Sequence, residues 1–389
     1  MISIEPKLAQ EIVERAAKII PFNVNVMDRR GIIVGSGKPA RIGELHAGAQ
    51  LALAQARTVV IDEALARTLP TVESGVNLPL TVRGRICGVV GLTGEPETVQ
   101  PFGELLRTTV EMLLEQTQLL GELQREKRYR EEFVSHLVSR ERSSPVDLNA
   151  WALRLGIEFR SPHAAIVVTL EDADRRADRS LVELQRFQAR LAVQLPDLPT
   201  AVLSPREFVM LESFGGRAPQ TSEASHARLR LQYFETILRA ETTLPFVLSL
   251  GVALPDVESV ALSYQSACRT RHVGRQRRPE AAAFSFYELS LPVLLSSLDA
   301  SWQAEQLRRP LDRLMRIDKR QRTLRHTLDA WFAHDGRSLS TAKALGIHRN
   351  TLDYRLRQIG KATGLDLDRT DDRLLLYIAL QFDGQESAD

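Results

Sequence analysis

Polar residues that could make specific contacts are densest near the C-terminus, on one face of a predicted helix over residues 349–363. Leu352, Leu356 and Ile359 recur at helical spacing and predict the buried stripe of this helix. The remaining face carries cationic, amide, imidazole and hydroxyl groups, on His348, Arg349, Asn350, Thr351, Tyr354, Arg355 and Arg357. Arginine binds the guanine edge and asparagine the adenine edge through paired hydrogen bonds, whereas the other groups suit phosphates and thymine methyls. The pattern predicts a helix that contacts bases in the major groove of duplex DNA.

Two shorter elements position this helix. Residues 324–333 and 339–345 are both amphipathic, and the Gly-Ile pair at 346–347 provides a tight turn before the polar helix. Two amphipathic helices joined by so short a turn are typical of a helix-turn-helix. The helix before the turn adds Thr341 and Lys343 to the candidate DNA contacts.

Charge is unevenly distributed along the chain. The 389 residues carry a net charge of +2, from 51 lysines and arginines and 49 aspartates and glutamates. Residues 305–380 alone hold 16 basic and 10 acidic residues, so this segment is +6 and the rest is −4. A basic module on a slightly acidic body is typical of a nucleic-acid-binding protein, although a solvated helical surface has the same charge. Because the basic face, the tight turn and the preceding helix occur together, we expect double-stranded operator DNA as a partner.

Composition and motifs exclude several other classes of protein. With 43% apolar and 26% charged residues, the chain is long and apolar enough for two or three folded domains. Cys87 and Cys268 stand far apart in the chain and form no Cys-x-x-Cys pair, so neither a disulfide framework nor a metal site is expected. Neither a leader nor an 18-residue apolar segment occurs, which predicts a soluble cytoplasmic protein without a membrane partner. Since nucleophile-elbow, zinc-protease and phosphate-loop motifs are missing, we expect neither an enzyme nor a bound cofactor.

Helix and hairpin signals alternate over the first 93 residues. Apolar spacing predicts one helix over residues 8–20 and a second over 44–56. Apolar and polar residues around Arg-Gly turns predict hairpins over 23–34 and 76–93. This order predicts a small α+β domain with one antiparallel sheet.

A long helix is expected over residues 102–139. Leu106, Leu113 and Leu120 are spaced by sevens, as in a short heptad repeat. Gly121 argues against a continuous coiled coil, so we interpret the helix either as a signalling or dimer linker or as a surface helix. The Ser-Ser-Pro sequence that follows indicates a domain boundary.

Residues 146–290 have the strand-helix-strand-strand-helix-strand order of a ferredoxin-like layer. This order, with residues 203–209 at the signature hairpin, resembles a GGDEF-type diguanylate cyclase domain. Glu207 is retained, but Ser204 and Pro205 replace the glycines that would let nucleotide phosphates approach the backbone. We therefore interpret this domain as a spacer that lacks cyclase chemistry.

The predicted fold is a multidomain α+β protein. It comprises a PAS-like α/β sensor with its linker helix at 1–140, a ferredoxin- or GGDEF-like α+β spacer or oligomerisation domain at 146–290, and an all-α helix-turn-helix domain at 302–384. One DNA-binding helix contacts only a few base pairs, so we expect a homo-oligomer whose paired modules occupy two half-sites.

A family resemblance covers essentially the whole chain. Residues 348–356, His-Arg-Asn-Thr-Leu-Asp-Tyr-Arg-Leu, and 363–367, Thr-Gly-Leu-Asp-Leu, closely resemble the PucR-type helix-turn-helix of bacterial regulators. The segments 25–28, 35–37, 41–46, 75–80 and 91–96 look like a sugar-diacid recognition domain. Together they are similar to the carbohydrate diacid regulator family. The resemblance implies a transcriptional activator of genes for uptake and breakdown of galactarate, glucarate and glycerate, with a sugar diacid or glycerate as effector.

Polar side chains in these N-terminal segments are the candidate effector contacts. A sugar diacid needs guanidinium or backbone N–H donors for its carboxylates and amide or hydroxyl groups for its hydroxyls. The candidates are Asn25, Ser36, Arg41, His46, Asn77 and Thr93. We expect Arg41 just before a helix whose N-terminus itself favours an anion. Each candidate also has a structural interpretation as an ion pair, a turn former or a partner for local backbone groups.

Two other interpretations stay open at the level of sequence. A PucR-type regulator of another catabolic pathway, such as purine or proline breakdown, would share the C-terminal module. A nucleotide-binding enzyme of the cyclase type would use the middle domain, and turnover of GTP by the purified protein would identify it.

Overall fold

The computed structural model describes residues 4–68, 72–139, 147–171, 177–214, 222–298, 301–318 and 322–383. They belong to two compact units, Met1–Arg128 and Tyr129–Asp389. The predicted boundary at 143–145 lies outside the described residues. Across the described ranges, no helix is both long and apolar enough to cross a membrane.

The first unit is built around an antiparallel sheet. Its strands are β1 (Asn23–Met27), β2 (Ile33–Ser36), β3 (Val59–Ile61), β4 (Gly75–Val82) and β5 (Arg85–Thr93), in the order β2-β1-β5-β4-β3. Both predicted hairpins, β1–β2 and β4–β5, are confirmed. The edge strand β3 has no counterpart among the predicted elements, because three residues are too few to show alternation. The arrangement agrees with the predicted PAS-like α/β fold.

Helices cover both faces of this sheet. They are α1 (Pro6–Ala16), a 3-10 helix at Pro39–Arg41, α2 (Ala47–Gln55), α3 (Glu63–Ala66) and α4 (Pro96–Val138). Helices α1 and α4 pack on one face, in a core that includes Val24 and Val90. On the other face, α2 packs on Met27 and Val89 through Ala49. The two cores follow the alternation of strand side chains between the faces of a sheet.

The long helix α4 is continuous through Gly121. Leu106 and Val110 are buried in the core of the first unit, so the first part of the predicted heptad row covers the sheet and forms no coiled-coil seam. Leu120, in contrast, is 53% exposed. A different row with seven-residue spacing is exposed, and it consists of Leu105, Met112 and Leu119.

The second unit contains a mixed sheet with helices on both faces. Its strands are β6 (His163–Leu170), β7 (Thr200–Ser204), β8 (Glu207–Ser213), β9 (Phe246–Leu250) and β10 (Ala283–Ser285), in the order β10-β9-β6-β8-β7. Its first helices are α5 (Leu148–Arg154), α6 (Ala177–Gln194), α7 (Glu223–Glu241), a 3-10 helix at Val257–Ser259, α8 (Val260–Arg277) and α9 (Ser290–Ser296). The order β6-α6-β7-β8-α7-β9 confirms the predicted ferredoxin-like layer, to which β10 adds in parallel.

Helices α10 to α14 complete the described part of the second unit. They are α10 (Trp302–Ile317), α11 (Thr323–Ala333), α12 (Ser338–Ala344), α13 (Arg349–Thr363) and α14 (Thr370–Asp383). Leu314, Leu328 and Ile359 are fully buried in their shared core. Phe382 of α14 also packs with Leu295 of α9. The predicted all-α helix-turn-helix is confirmed.

Candidate functional site

The turn between α12 and α13 sets the direction of α13. Gly346 has a φ of 65°, in the left-handed region that side chains other than glycine rarely adopt. The His348 side chain caps α13, since its Nδ1 accepts a hydrogen bond from the Asn350 N–H at 3.3 Å. Leu352 and Ile359 are fully buried, which confirms the predicted buried stripe.

The polar face of α13 is largely exposed. Of the predicted DNA contacts, the exposed ones are Lys343, His348, Arg349, Asn350, Thr351, Tyr354 and Arg357. Arg349 has 69% of its side chain exposed, and its Nε lies 4.0 Å from a carboxylate oxygen of Asp353. Because an ion pair this long and exposed is weak, the Arg349 guanidinium stays available to a base or a phosphate.

Two predicted DNA contacts are instead engaged inside the helix-turn-helix. Thr341 is fully buried, and its hydroxyl donates a hydrogen bond to the Arg337 carbonyl at 2.8 Å. A side chain without exposed surface has no access to a base, and the Thr341 hydroxyl bonds the backbone at the start of its own helix α12. Arg355 is half-buried and donates a hydrogen bond from Nη1 to the Thr327 hydroxyl of α11 at 3.2 Å. This contact ties α13 to α11.

A row of polar residues crosses the first sheet on the face that packs against α2. Ser36 lies opposite Asn25, Asn25 opposite Gly91, and Gly91 opposite Asn77. Directly opposed residues share a face of the sheet, and Met27 of the same face packs under α2. Three predicted effector contacts thus lie in one row, with a glycine between the two asparagines.

Asn25 is held in this row by its neighbours. Its Oδ1 accepts hydrogen bonds from the Ser36 hydroxyl at 2.6 Å and from Asn23 Nδ2 at 3.5 Å. The Ser36 hydroxyl in turn accepts a hydrogen bond from the Lys38 backbone N–H at 3.0 Å. Neither hydrogen bond uses the amide NH2 group of Asn25, which is the group that would donate to a ligand oxygen.

Asn77 has an unusual environment. Its side chain is 4% exposed, and no donor among the described residues bonds to its Oδ1. A methyl group on Gly91 would lie 3.0 Å from this oxygen, and a methyl group on Gly48 would lie 2.7 Å from Asn77 Nδ2. The two glycines therefore leave room for the carboxamide. The sequence alone did not predict that Gly48 and Gly91 adjoin Asn77, because which residues they contact depends on strand pairing and on the position of α2.

The remaining candidates lie beside this row. Arg41 ends the 3-10 helix, and its Nε lies 3.3 Å from Glu44 Oε2. The prediction that Arg41 directly precedes a helix is wrong, because α2 begins only at Ala47. His46 caps α2 by accepting a hydrogen bond from the Ala49 N–H at 3.2 Å. Thr93, at the end of β5, is half-buried.

His46 acts as a neutral cap. Its side chain is 6% exposed. Burial and then the nearby Arg41 guanidinium lower the pKa of His46 to about 4, although Glu44 opposes the shift. The imidazole is therefore uncharged near neutral pH, and its Nδ1 is free of a proton, as the hydrogen bond from Ala49 requires.

Acidification is expected to destabilise the first unit through His46. The unfolded chain takes up a proton near pH 6.5, whereas the folded chain resists protonation until about pH 4. This contribution to stability is present above pH 6.5 and is lost as the pH falls towards 4, and it amounts to on the order of 3 kcal/mol. Urea unfolding at pH 7.5 and 4.5 measures the loss. His46→Ser, which keeps a capping oxygen without a titrating group, should lose less stability, and an equal loss in both proteins would contradict the assignment.

An internal polar cluster occupies the position of the degenerate signature hairpin. The Glu207 carboxylate accepts a hydrogen bond from the Tyr264 hydroxyl and lies 3.4 Å from a guanidinium nitrogen of Arg271. Burial and the neighbouring Glu207 raise the pKa of Tyr264, which keeps its hydroxyl a donor. Glu207 is therefore engaged with α8. Nowhere in the described ranges do three or more histidine, cysteine, aspartate or glutamate side chains come together as a metal site.

Three family models match successive parts of the chain. Residues 4–137 match the sugar diacid recognition family, residues 139–273 match the GGDEF-like domain, and residues 324–382 match the PucR C-terminal helix-turn-helix domain. The first match contains the polar row, and the last contains the exposed face of α13.

Relatives match over nearly the whole chain or over a part of it. The carbohydrate diacid regulator of Escherichia coli strain K12 is 46% identical over 384 residues, which cover 98% of each chain. An uncharacterised protein of Haemophilus influenzae is 33% identical, over 95% of this chain and 96% of its own. The transcriptional activator PmfR of Paenarthrobacter nicotinovorans is 38% identical over 91 residues, 23% of this chain and 19% of its own. The chain therefore belongs to the carbohydrate diacid regulator family, a family of transcriptional regulators with a PucR-type helix-turn-helix.

Proposed function

We propose that this regulator activates genes for the uptake and breakdown of galactarate, glucarate and glycerate, with a sugar diacid or glycerate as its effector. The observation that carries the proposal is the polar row Ser36, Asn25, Gly91 and Asn77, on the same chain as an exposed DNA-binding face. The name of the Escherichia coli relative, at 46% identity, supports the class of effector.

The proposed DNA contacts divide by chemistry. Arg349 and Asn350, in the first turn of α13, bind base edges in the major groove. The other exposed groups contact phosphates, sugars or a thymine methyl: Lys343, His348, Thr351, Tyr354 and Arg357. Arg355 and Thr341 position α13 and α12 through their contacts inside the helix-turn-helix.

The proposed effector contacts divide in the same way. Arg41 and the backbone N–H groups at the start of α2 bind carboxylate, because both are positive and both lie close to His46. Asn25, Asn77, Ser36 and Thr93 surround the hydroxyl groups. His46 contributes by fixing where α2 starts.

We propose that effector binding, spacing and DNA binding belong to three separate domains. The sensor and its linker helix occupy 1–140, the spacer 146–290 and the DNA-binding domain 302–384. A homo-oligomer presents two DNA-binding domains to two half-sites, which is needed because one helix contacts few base pairs. An activator that binds DNA works in the cytoplasm.

We propose no cyclase activity for the middle domain. The engagement of Glu207 with Tyr264 and Arg271 supports this, since that carboxylate is not free to hold a metal-bound nucleotide. Assay of the purified protein for GTP turnover tests it, and product formation above a buffer control would restore the enzyme interpretation.

Calorimetric titration of the full-length protein tests the effector class. Galactarate, glucarate and glycerate are expected to bind, whereas proline and purine breakdown products are not. Binding of proline or a purine derivative in place of all three acids would assign the protein to another catabolic pathway.

A further inference from the structure

Helices α12 and α13, which carry the proposed DNA contacts, contain a single acidic residue between them, Asp353. Duplex DNA is a dense polyanion, and each cation that meets a phosphate adds to the affinity of a protein for it. A carboxylate on the same helix works against this attraction, because like charges repel. The position of Asp353 beside the proposed base contacts therefore calls for a specific role.

Asp353 lies one helical turn after Arg349 and one turn before Arg357, and residues four positions apart are neighbours on a helix surface. Its Oδ2 lies 4.0 Å from Arg349 Nε, and 42% of the Asp353 side chain is exposed. Arg357 is engaged differently, since its Nε donates a hydrogen bond to the Asp353 backbone carbonyl at 3.3 Å. Within the part of the chain that the structure describes, the Asp353 carboxylate thus has its ion-pair contact with Arg349.

The nitrogen that faces Asp353 decides what Arg349 can still do. A guanidinium presents five N–H donors in a planar fork. Its terminal nitrogens can make the paired hydrogen bonds to O6 and N7 of guanine. A carboxylate beside Nε leaves both terminal nitrogens available to the base. It also restricts the rotation of a long side chain, so that less freedom is lost when the base contact forms.

The strength of this contact depends on whether DNA is bound. In the free protein the pair is long, exposed and therefore weak. When the helix lies in a groove, water is displaced, and the same two charges attract each other more strongly in the lower dielectric. The contact therefore gains strength when Arg349 reaches a base edge.

We propose that Asp353 is a positioning residue that turns the Arg349 fork toward guanine, and that its charge also weakens binding to DNA of other sequences. The first effect favours the correct base, and the second repels phosphates when the base contact is not made. Both effects raise specificity. This rests on the proposed function and deepens it, since it names a residue that determines which base Arg349 accepts.

Binding-site selection from a pool of random duplexes, with the full-length protein, provides the DNA for the test. Each position of the selected site is changed to the other three bases, and fluorescence anisotropy at one salt concentration gives the Kd values. The guanine that Arg349 contacts is the position at which Arg349→Ala loses its preference. In the wild-type protein that preference should be about 5- to 150-fold, as for a bidentate contact.

The variant Asp353→Asn removes the charge and keeps the size of the side chain. Its preference for guanine at this position should fall at least about threefold, whereas its affinity for a scrambled duplex should rise, because a charge that repels phosphates has gone. A merely structural role would lower both affinities together. In the Arg349→Ala background, Asp353→Asn should not change the preference at this position, because the two residues act as one unit.

Two further variants serve as controls. Asp353→Glu keeps a carboxylate one turn from Arg349 and should retain most of the preference for guanine. Asp312→Asn removes the same charge from an exposed position on α10 and should leave the preference unchanged.

Three results for Asp353→Asn would overturn the proposal. An unchanged guanine preference with higher affinity for every duplex would reduce Asp353 to a repelling charge. A preference lost at a different base pair would make Asp353 itself a base contact, as an acceptor from cytosine N4. A lower thermal midpoint with an unchanged guanine preference would make it a structural residue. If Arg349→Ala instead kept every base preference of the wild type, the proposed base contact of Arg349 would fall, and this inference with it.

Discussion

Replacing Arg349 and Asn350 together by alanine is expected to lower the affinity of the protein for its operator by at least about 30-fold, because each bidentate base contact contributes about 1–3 kcal/mol. The fold should survive, since both side chains are exposed and α13 is anchored by the buried Leu352 and Ile359. Binding to unrelated DNA should fall much less, because phosphate contacts from the remaining cations provide most of it.

Fluorescence anisotropy with the operator duplex and a scrambled duplex of equal length measures this effect at a fixed salt concentration. Arg369→Ala is the control, since it removes an exposed arginine outside α12 and α13 and should preserve the preference for the operator. A double variant that keeps the wild-type ratio of operator to scrambled affinity would exclude Arg349 and Asn350 as base contacts.

Gly91→Val is expected to weaken effector binding about 10- to 100-fold, because the branched side chain would displace the Asn77 carboxamide from the polar row and overpacking costs about 1–3 kcal/mol. Even a Cβ atom at this position would lie 3.0 Å from Asn77 Oδ1 and 3.2 Å from Met27 Cε. A larger side chain must therefore displace the Asn77 carboxamide or Met27. Gly91→Ala adds only the first atom and should show a smaller loss.

Calorimetry with galactarate measures the effect, and circular dichroism with operator binding in the absence of effector checks that the fold is kept. Gly84→Ala is the control on the same hairpin, since its added methyl group would meet open space, although its positive φ of 74° makes it the more strained substitution. Wild-type galactarate affinity in Gly91→Val would show that the effector binds elsewhere.

The helix-turn-helix was predictable because its signals are local. The spacing of Leu352, Leu356 and Ile359 sets the buried stripe within a single helix, and Gly346 sets the turn. Burial of Thr341 was not predictable in this way. In a helix of only seven residues such as α12, periodicity barely separates the buried side from the exposed side.

Helix α4 illustrates the same limit. Its sequence contains two rows with seven-residue spacing, one through Leu106 and one through Leu105. Spacing alone cannot tell which row covers a sheet and which stays exposed. The structure buries Leu106 and leaves Leu105 67% exposed, because the sheet of the first unit requires a cover on that side.

The effector site was predictable in its residue types and not in its arrangement. Asn25 and Asn77 stand out as polar residues between apolar neighbours. Their common row depends on β5 pairing with both β1 and β4, which is a contact between segments distant in sequence. The same pairing gives Gly91 its role. We expected α2 to begin earlier than it does, and this placed Arg41 directly before the helix. The helix starts only after the cap formed by His46, and that cap depends on side-chain geometry that the sequence pattern does not show.

A small acid bound in the first unit is expected to change the affinity of the helix-turn-helix for DNA. The most direct test is to measure the operator Kd with and without saturating galactarate, and the galactarate Kd with and without saturating operator, on the same full-length protein. Galactarate is expected to tighten operator binding, and operator to tighten galactarate binding by the same factor, since coupling between two sites is reciprocal. An operator Kd that stays the same when galactarate is demonstrably bound would contradict it.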